Sequence, residues 1–248
     1  MKIIQVCVIF IIYCSLTSAQ NHNSSQDATT GLYLGITGGY NHSMEYHFYE
    51  DDAGIMPGLL TDILAEKIKG GTISRYHVGI LFEADALFPD FTFGFLSGVI
   101  LDGRGFRDDT PYAINTPGDY LEYKTMFIKV PLNVNMVSDF KKNNKLGWVI
   151  ELGLPLSFAL SGTLEGYIAP DKINEELTFG KNKEEDTYRR VHLQLYAGIG
   201  LAYNRTFRIM GSFSYGLSNM LPEPDEGERF QSYVFGLSAA YLFSVKKF

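Results

Sequence analysis

Residues 207–217 read FRIMGSFSYGL, with apolar and polar positions in alternation. Phe207, Ile209, Phe213, Tyr215 and Leu217 fall on one side, and Arg208, Ser212 and Ser214 on the other. A period of two marks a strand with one apolar face. The pattern recurs along the chain and predicts strands near 31–41, 75–87, 91–101, 121–136, 146–160, 188–204, 206–218 and 230–243. Long connections (42–74, 102–120, 161–187 and 219–229) alternate with short ones at 87–91, 138–145 and 203–207. All long loops therefore fall at one end of an up-and-down meander, the asymmetry of bacterial transmembrane barrels.

The faces decide which way such a meander is wrapped. Residues 75–87 place Tyr76, Val78, Ile80, Phe82 and Ala84 against His77, Gly79, Leu81, Glu83 and Asp85. Residues 146–160 place Trp148, Ile150, Leu152, Leu154, Leu156 and Phe158 against Val149, Glu151, Gly153, Pro155 and Ser157. The apolar sets carry essentially no charge, while the opposite sets mix glycine, serine and ionisable groups. In a water-soluble barrel those charges would be desolvated in the core, at several kcal/mol each unless paired. Facing the apolar set to hydrocarbon and the mixed set to a narrow lumen removes the conflict. The expected fold is all-β: an eight-stranded antiparallel up-and-down transmembrane β-barrel over residues 31–248, after a short mature segment at 20–30. Tyr203, Phe207, Tyr233, Phe235, Tyr241 and Phe243 lie at strand ends on the apolar face and are expected to form lipid-facing aromatic girdles. Pro131 and Pro155 interrupt two strands, and local bulges are the expected accommodation.

The first residues change the picture further. Lys2, an apolar run from Ile3 to Tyr13 and the small residues Thr17-Ser18-Ala19 read as a secretory signal peptide over 1–19. Both cysteines, Cys7 and Cys14, fall within it, which argues against a thiolate metal site, a cysteine nucleophile or a disulfide scaffold in the mature chain. The net charge of −7 becomes about −8 without Lys2, which disfavours nucleic acid as a partner.

Several stretches carry a further likeness: FIKVPLNV (127–134), GWVIELGLPLSF (147–158), LYAGIGLAY (195–203), SFSYGLSNM (212–220) and GLSAAYLF (236–243). Together with GLYLGITGGYN (31–41), the chain resembles the PorT-like outer-membrane β-barrel family of Bacteroidota. The resemblance implies a small barrel in the outer membrane of a Gram-negative bacterium. It also implies contact with lipid and lipopolysaccharide, insertion by the barrel-assembly machinery, and room for an envelope protein partner.

Candidate chemistry is sparse. Glu83, Asp85, Lys129, Glu151 and Arg208 all project into the lumen and are expected to form a charge network. An eight-stranded barrel is just wide enough for side chains to fill. The network reads first as an ion-pair plug, with a narrow pore or small-solute transporter as the alternative. His77 and His192 also face inward, but no Ser/His/Asp spacing and no HExxH is visible, so no enzyme activity, cofactor or metal is expected. PGLLTDILAEKIKGG (57–71) reads as a short helix over the barrel mouth. The acidic stretches YEDD (49–52), KEED (183–186) and PEPDEGE (222–228) read as solvated loop tips.

Overall fold

The computed structural model describes residues 30–49, 70–87, 91–109, 119–139, 145–182, 185–222, 224 and 228–247. The signal-peptide reading over 1–19, the segment 20–29 and the helix reading over 57–69 lie outside these residues. Gly70 and Gly71, expected to end that helix, instead open a strand.

The described strands are β1 (Thr30–Tyr49), β2 (Gly70–Leu87), β3 (Thr92–Asp108), β4 (Tyr120–Val130), β5 (Asn133–Asp139), β6 (Leu146–Gly153) and β7 (Leu156–Ile168). They continue with β8 (Asp171–Glu176), β9 (Phe179–Gly180), β10 (Tyr188–Arg189), β11 (Val191–Tyr203), β12 (Phe207–Gly216) and β13 (Glu228–Lys247). β1 pairs with both β2 and β13, β13 with β12, β12 with β11, and β2 with β3, all antiparallel. β4 and β5 together make one wall position beside β3, and β6 and β7 the next, beside β11. The ring thus closes with eight wall positions. Closure leaves no free strand edge inside the membrane, the condition that lipid imposes on backbone polar groups.

The short connections and both ends of the described chain share one side, with Gly31 opposite Lys247. The β11–β12 turn is tight: Asn204 and Arg205 have φ of 51° and 61°, and the Thr206 amide donates to the Tyr203 carbonyl at 3.2 Å. Two consecutive positive φ values match the right-handed twist of the flanking strands.

Side-chain burial is inverted relative to a soluble protein. Leu34, Ile36, Val78, Ile80, Leu152, Ile199, Ile209 and Leu237 are exposed on the outer wall, whereas Glu83, Asp102, Arg104, Asn135, Glu151 and Arg208 are buried. The face of FRIMGSFSYGL that carries Phe207 and Ile209 points outward, and Arg208 and Met210 point in.

The prolines correct one expectation. Asn133 opposes Gly153 and Val130 opposes Leu156, so the register is the same on both sides of the interruption and no residue is inserted. Pro131 and Pro155 therefore face one another, both buried. The Leu154 amide donates to the Leu132 carbonyl at 3.1 Å beside them, and the Gln194 amide donates to the Pro155 carbonyl at 3.1 Å. The missing proline N–H groups face β11 and β3, so each costs one ladder bond without a bulge. On β3 the position opposite Pro131 is Gly98, with φ of 155°, where a Cβ would lie 2.2 Å from the Ile80 carbonyl oxygen. Only glycine fits there.

The third long connection is a second correction. Residues 161–187 hold the upper half of β7, the β8 hairpin arm and β9, which pairs in parallel with β10 just beyond them. The strand continues with small and charged residues once it leaves the hydrocarbon, so an apolar face marks only its membrane-crossing part.

Candidate functional site

β3 carries the whole interior from the turn end to the loop end. Its inward positions run Leu96, Ile100, Asp102, Arg104 and Phe106. Around these residues the lumen fills in layers.

The lower polar layer centres on Arg208, whose guanidinium donates to Glu83 through two nitrogens at 2.6 and 2.7 Å. The same Glu83 accepts from Asn135 at 2.7 Å. Glu151 stands 3.8 Å from Arg208 and accepts longer bonds from Asn133 and Tyr196, each 3.4 Å. Apolar side chains flank this layer, with Leu81, Leu96, Ala240 and Leu242 on one side and Val137, Val149, Ala202 and Met210 on the other.

The upper polar layer centres on Asp102. It accepts from Arg104 Nε at 2.8 Å and from the Asn41 amide. His77 Nδ1 lies 3.0 Å from Asn41 Oδ1. Arg104 also donates to Ser157 Oγ at 2.9 Å and lies 4.7 Å from the centre of the Phe127 ring. His192 packs edge-on against Phe127, with ring centres 5.3 Å apart.

A cavity of about 60 Å³ separates the two layers, lined by Lys129, Glu151, Tyr196, Asn133 and Ser238 among others. That space holds roughly four water molecules. Lys129 faces it 5.3 Å from the Tyr196 ring centre and makes no ion pair among the described residues.

Of the five expected network residues, the structure brings Glu83, Arg208 and Glu151 together. Asp85 sits further toward the turn end, against Gly31. Lys129 stands apart across the cavity, so the single five-membered network is corrected to a Glu83–Arg208–Glu151 cluster and a separate lysine. The Asn41, Asp102 and Arg104 cluster lies outside that expectation, because the third strand was ended at residue 101 whereas β3 runs to Asp108. The alternation does continue through 102, 104 and 106, and Asn133 and Asn135 share the inward parity of Lys129.

Among the aromatics, Tyr203, Phe207, Phe235, Tyr241 and Phe243 are exposed on the outer wall. Tyr233 is the correction: it is only 7% exposed, with ring centres 5.2 Å from Tyr215 and 6.4 Å from Phe213. It has the outward parity, but the Tyr215 and Phe213 rings pack against it.

Above the upper polar layer the interior turns apolar. Phe106 stacks on Tyr123 at 4.3 Å between ring centres, Tyr188 stacks on Phe230 at 5.8 Å, and Phe230 meets Phe106 edge-on at 5.6 Å. Leu177, Met220, Leu164 and Phe179 complete this cap. Its residues come from β3, β4, β7, β13 and the connections between β8 and β11 and between β12 and β13. Outside the cap the same strands carry charge. Arg107 pairs with Asp109 at 2.6 Å and Glu122 at 3.3 Å, and Lys124 pairs with Glu122 at 2.9 Å and Glu165 at 2.7 Å. The hydrogen bond from Lys124 holds the Glu165 carboxyl below the usual range, and the same bond pushes the lysine up.

Comparison with known proteins agrees with this architecture at the family level. A family model described as outer membrane protein beta-barrel domain matches residues 18–221. No curated protein sequence matches the chain. Solved structures similar to it include Ail, the attachment invasion locus protein of Yersinia pestis, at 15% identity and a TM-score of 0.33, covering 88% of this chain and 100% of that one. The outer membrane protein OprG from Pseudomonas aeruginosa is 10% identical with a TM-score of 0.40, over 88% of this chain and 97% of that one. The outer membrane protease OmpT from Escherichia coli is 10% identical with a TM-score of 0.37, over 91% and 99% of the respective chains.

Proposed function

The chain belongs to the outer membrane protein beta-barrel family, and from that premise we propose that it is a sealed barrel of the Gram-negative outer membrane whose work is done by its extracellular rim. The observation that carries this reading is the layered lumen. Arg208, paired with Glu83, lines one side of the cavity, Asn41 and His77 with the Asp102–Arg104 pair behind them line the other, and the aromatic cap covers the mouth. A solute path would have to break two buried ion pairs, each held by further hydrogen bonds. Loss of one partner from such a pair costs about 3–5 kcal/mol. The barrel is thus a rigid post that displays a rim, in contact with lipid and lipopolysaccharide and inserted by the barrel-assembly machinery. The finer PorT-like kinship, with an envelope protein as partner, is part of the same proposal. The signal peptide over 1–19 is its route to export.

Single-channel recording in a planar bilayer tests the reading. Wild-type protein is expected to be silent and to stay silent when Glu83→Ala/Arg208→Ala removes one ion pair, with conductance only once Asp102→Ala/Arg104→Ala and Phe230→Ala are added. Steady wild-type conductance would instead make the lumen a narrow pore.

A further inference from the structure

We propose that the outer edge of β8 is a docking site for an extended basic segment, which adds to the extracellular sheet as one more strand. The inference rests on the reading that the rim carries the function, and it names the surface and the partner's chemistry. Above the ring, β2, β3, β4, β7 and β8 form a five-stranded sheet, because β7 leaves β11 beyond Phe158 and takes β8 as its neighbour. The last bond at that fork is the Ala159 amide to the Arg190 carbonyl, 2.8 Å. β8 pairs with β7 along one side, from Asp171 opposite Ile168 to Glu176 opposite Thr163. No strand pairs with its other side among the described residues. Every β8 residue except the half-buried Ile173 is exposed. An edge of this kind presents alternate N–H and C=O groups to any extended chain, and such strand addition is a recurring mode of peptide recognition.

The side chains state which chain fits. Asp171, Ile173 and Glu175 share one face of β8, and Lys172, Asn174 and Glu176 the other. Directly opposed side chains across an antiparallel pair interact, opposite charges favourably and like charges unfavourably. The first face therefore selects a basic residue, then an apolar one, then another basic one, at alternate positions of the incoming strand. A second copy of β8 fits poorly. The antiparallel register that matches Ile173 with Ile173 sets Asp171 against Glu175 twice. In that register the charges oppose self-pairing, and they favour a cationic partner.

The test uses full-length protein refolded in detergent and a fluorescent synthetic peptide containing Lys-Thr-Val-Thr-Lys, followed by anisotropy. Saturable binding is expected. Asp171→Lys/Glu175→Lys should weaken it about tenfold, the sum of two cross-strand charge pairs. A peptide N-methylated on the nitrogens that face β8 should lose binding, while methylation on its far edge should not. Absent binding to the wild type, equal binding to the charge-reversed variant, or equal binding of both methylated peptides would each overturn the proposal. Conductance of the same preparation separates the two failures. A silent barrel that does not bind overturns the edge alone, and a conducting barrel overturns the sealed-lumen reading.

Discussion

The membrane-crossing part of the barrel and the rim above it are built from the same strands with opposite polarity. On β3, Val99 and Leu101 face out while Asp102 and Arg104 face in; a turn of the alternation later, Arg107 faces out and Phe106 faces in. β4 makes only the outward half of this exchange, with Ile128 outside and then Lys124, while its inward Phe127 beside Arg104 and Tyr123 in the cap are both aromatic. β3 and β4 keep one register with each other across this boundary, while β2 and β7 beside them each shift by one residue there. What changes is the outer solvent: hydrocarbon accepts Leu and Val without penalty, and water accepts Arg and Glu. The interior then takes whatever the outer face refuses. In the membrane the interior holds polar groups, which must pair with one another, beside apolar ones such as Leu81, Val149 and Phe127; above it, the interior is aromatic and needs only to be covered. The same alternation therefore yields an ion-pair plug in one region and a hydrophobic cap in the other.

Arg208→Ala would break the comparison most severely. It leaves Glu83 buried and unpaired, and the cost is expected to be about 3–5 kcal/mol. Urea unfolding of the refolded barrel, followed by its shifted mobility in SDS without boiling, measures it. Glu83→Gln/Arg208→Met should recover most of the loss, which separates an uncompensated charge from lost packing. Ile199→Lys comes next. Ile199 faces lipid in mid-strand and is 65% exposed. A lysine at the bilayer midplane costs about 2–4 kcal/mol. Thr163→Lys, outward on β7 at the rim, should cost nothing measurable in the same assay. Equal effects at the two positions would show that the boundary has been drawn at the wrong height.

Phe230→Ala sharpens the other half. Removing this ring from between Phe106 and Tyr188 should cost about 2 kcal/mol, confined to the cap. Limited proteolysis should then cut the connection between β8 and β11 while the ring keeps its urea midpoint. The smallest effect belongs to the Lys124–Glu165 pair. Its carboxyl is held low in the folded protein, so the contribution is present at neutral pH, above the ordinary glutamate value, and is lost as pH falls through the lowered folded one. The pair is exposed, so Glu165→Gln should change stability by only a few tenths of a kcal/mol, a difference that vanishes in acid.

Much of the wall was legible from period and parity. Residues such as Val78, Leu152, Ile199 and Ile209 are apolar at every second position, and that alone places them on one face of a strand. The aggregate excess of ionisable groups opposite them turns that face toward lipid. The short turns were legible for the same reason, since YNRTF leaves only a tight reversal between two long alternating runs. The rim was not, because there the apolar signal moves to the other parity. A strand followed by its greasy face ends at Leu101, where β3 in fact has seven more residues. That loss of signal concealed Asp102 and Arg104, although both keep the inward parity of Ile100.

By itself the sequence determined the class of wall, its eight crossings and which side chains face inward where the outer face is apolar, because a strand's alternation is a local property that each segment carries alone. It could not determine who meets whom inside. Glu83 and Arg208 lie on strands far apart in the chain, and Lys129 shares their parity yet stands across a cavity from them. Those partnerships depend on the stagger of the ring, on the facing prolines that keep register without a bulge, and on the fork where β7 leaves β11. Each is a relation between segments, and only closure of the barrel sets it.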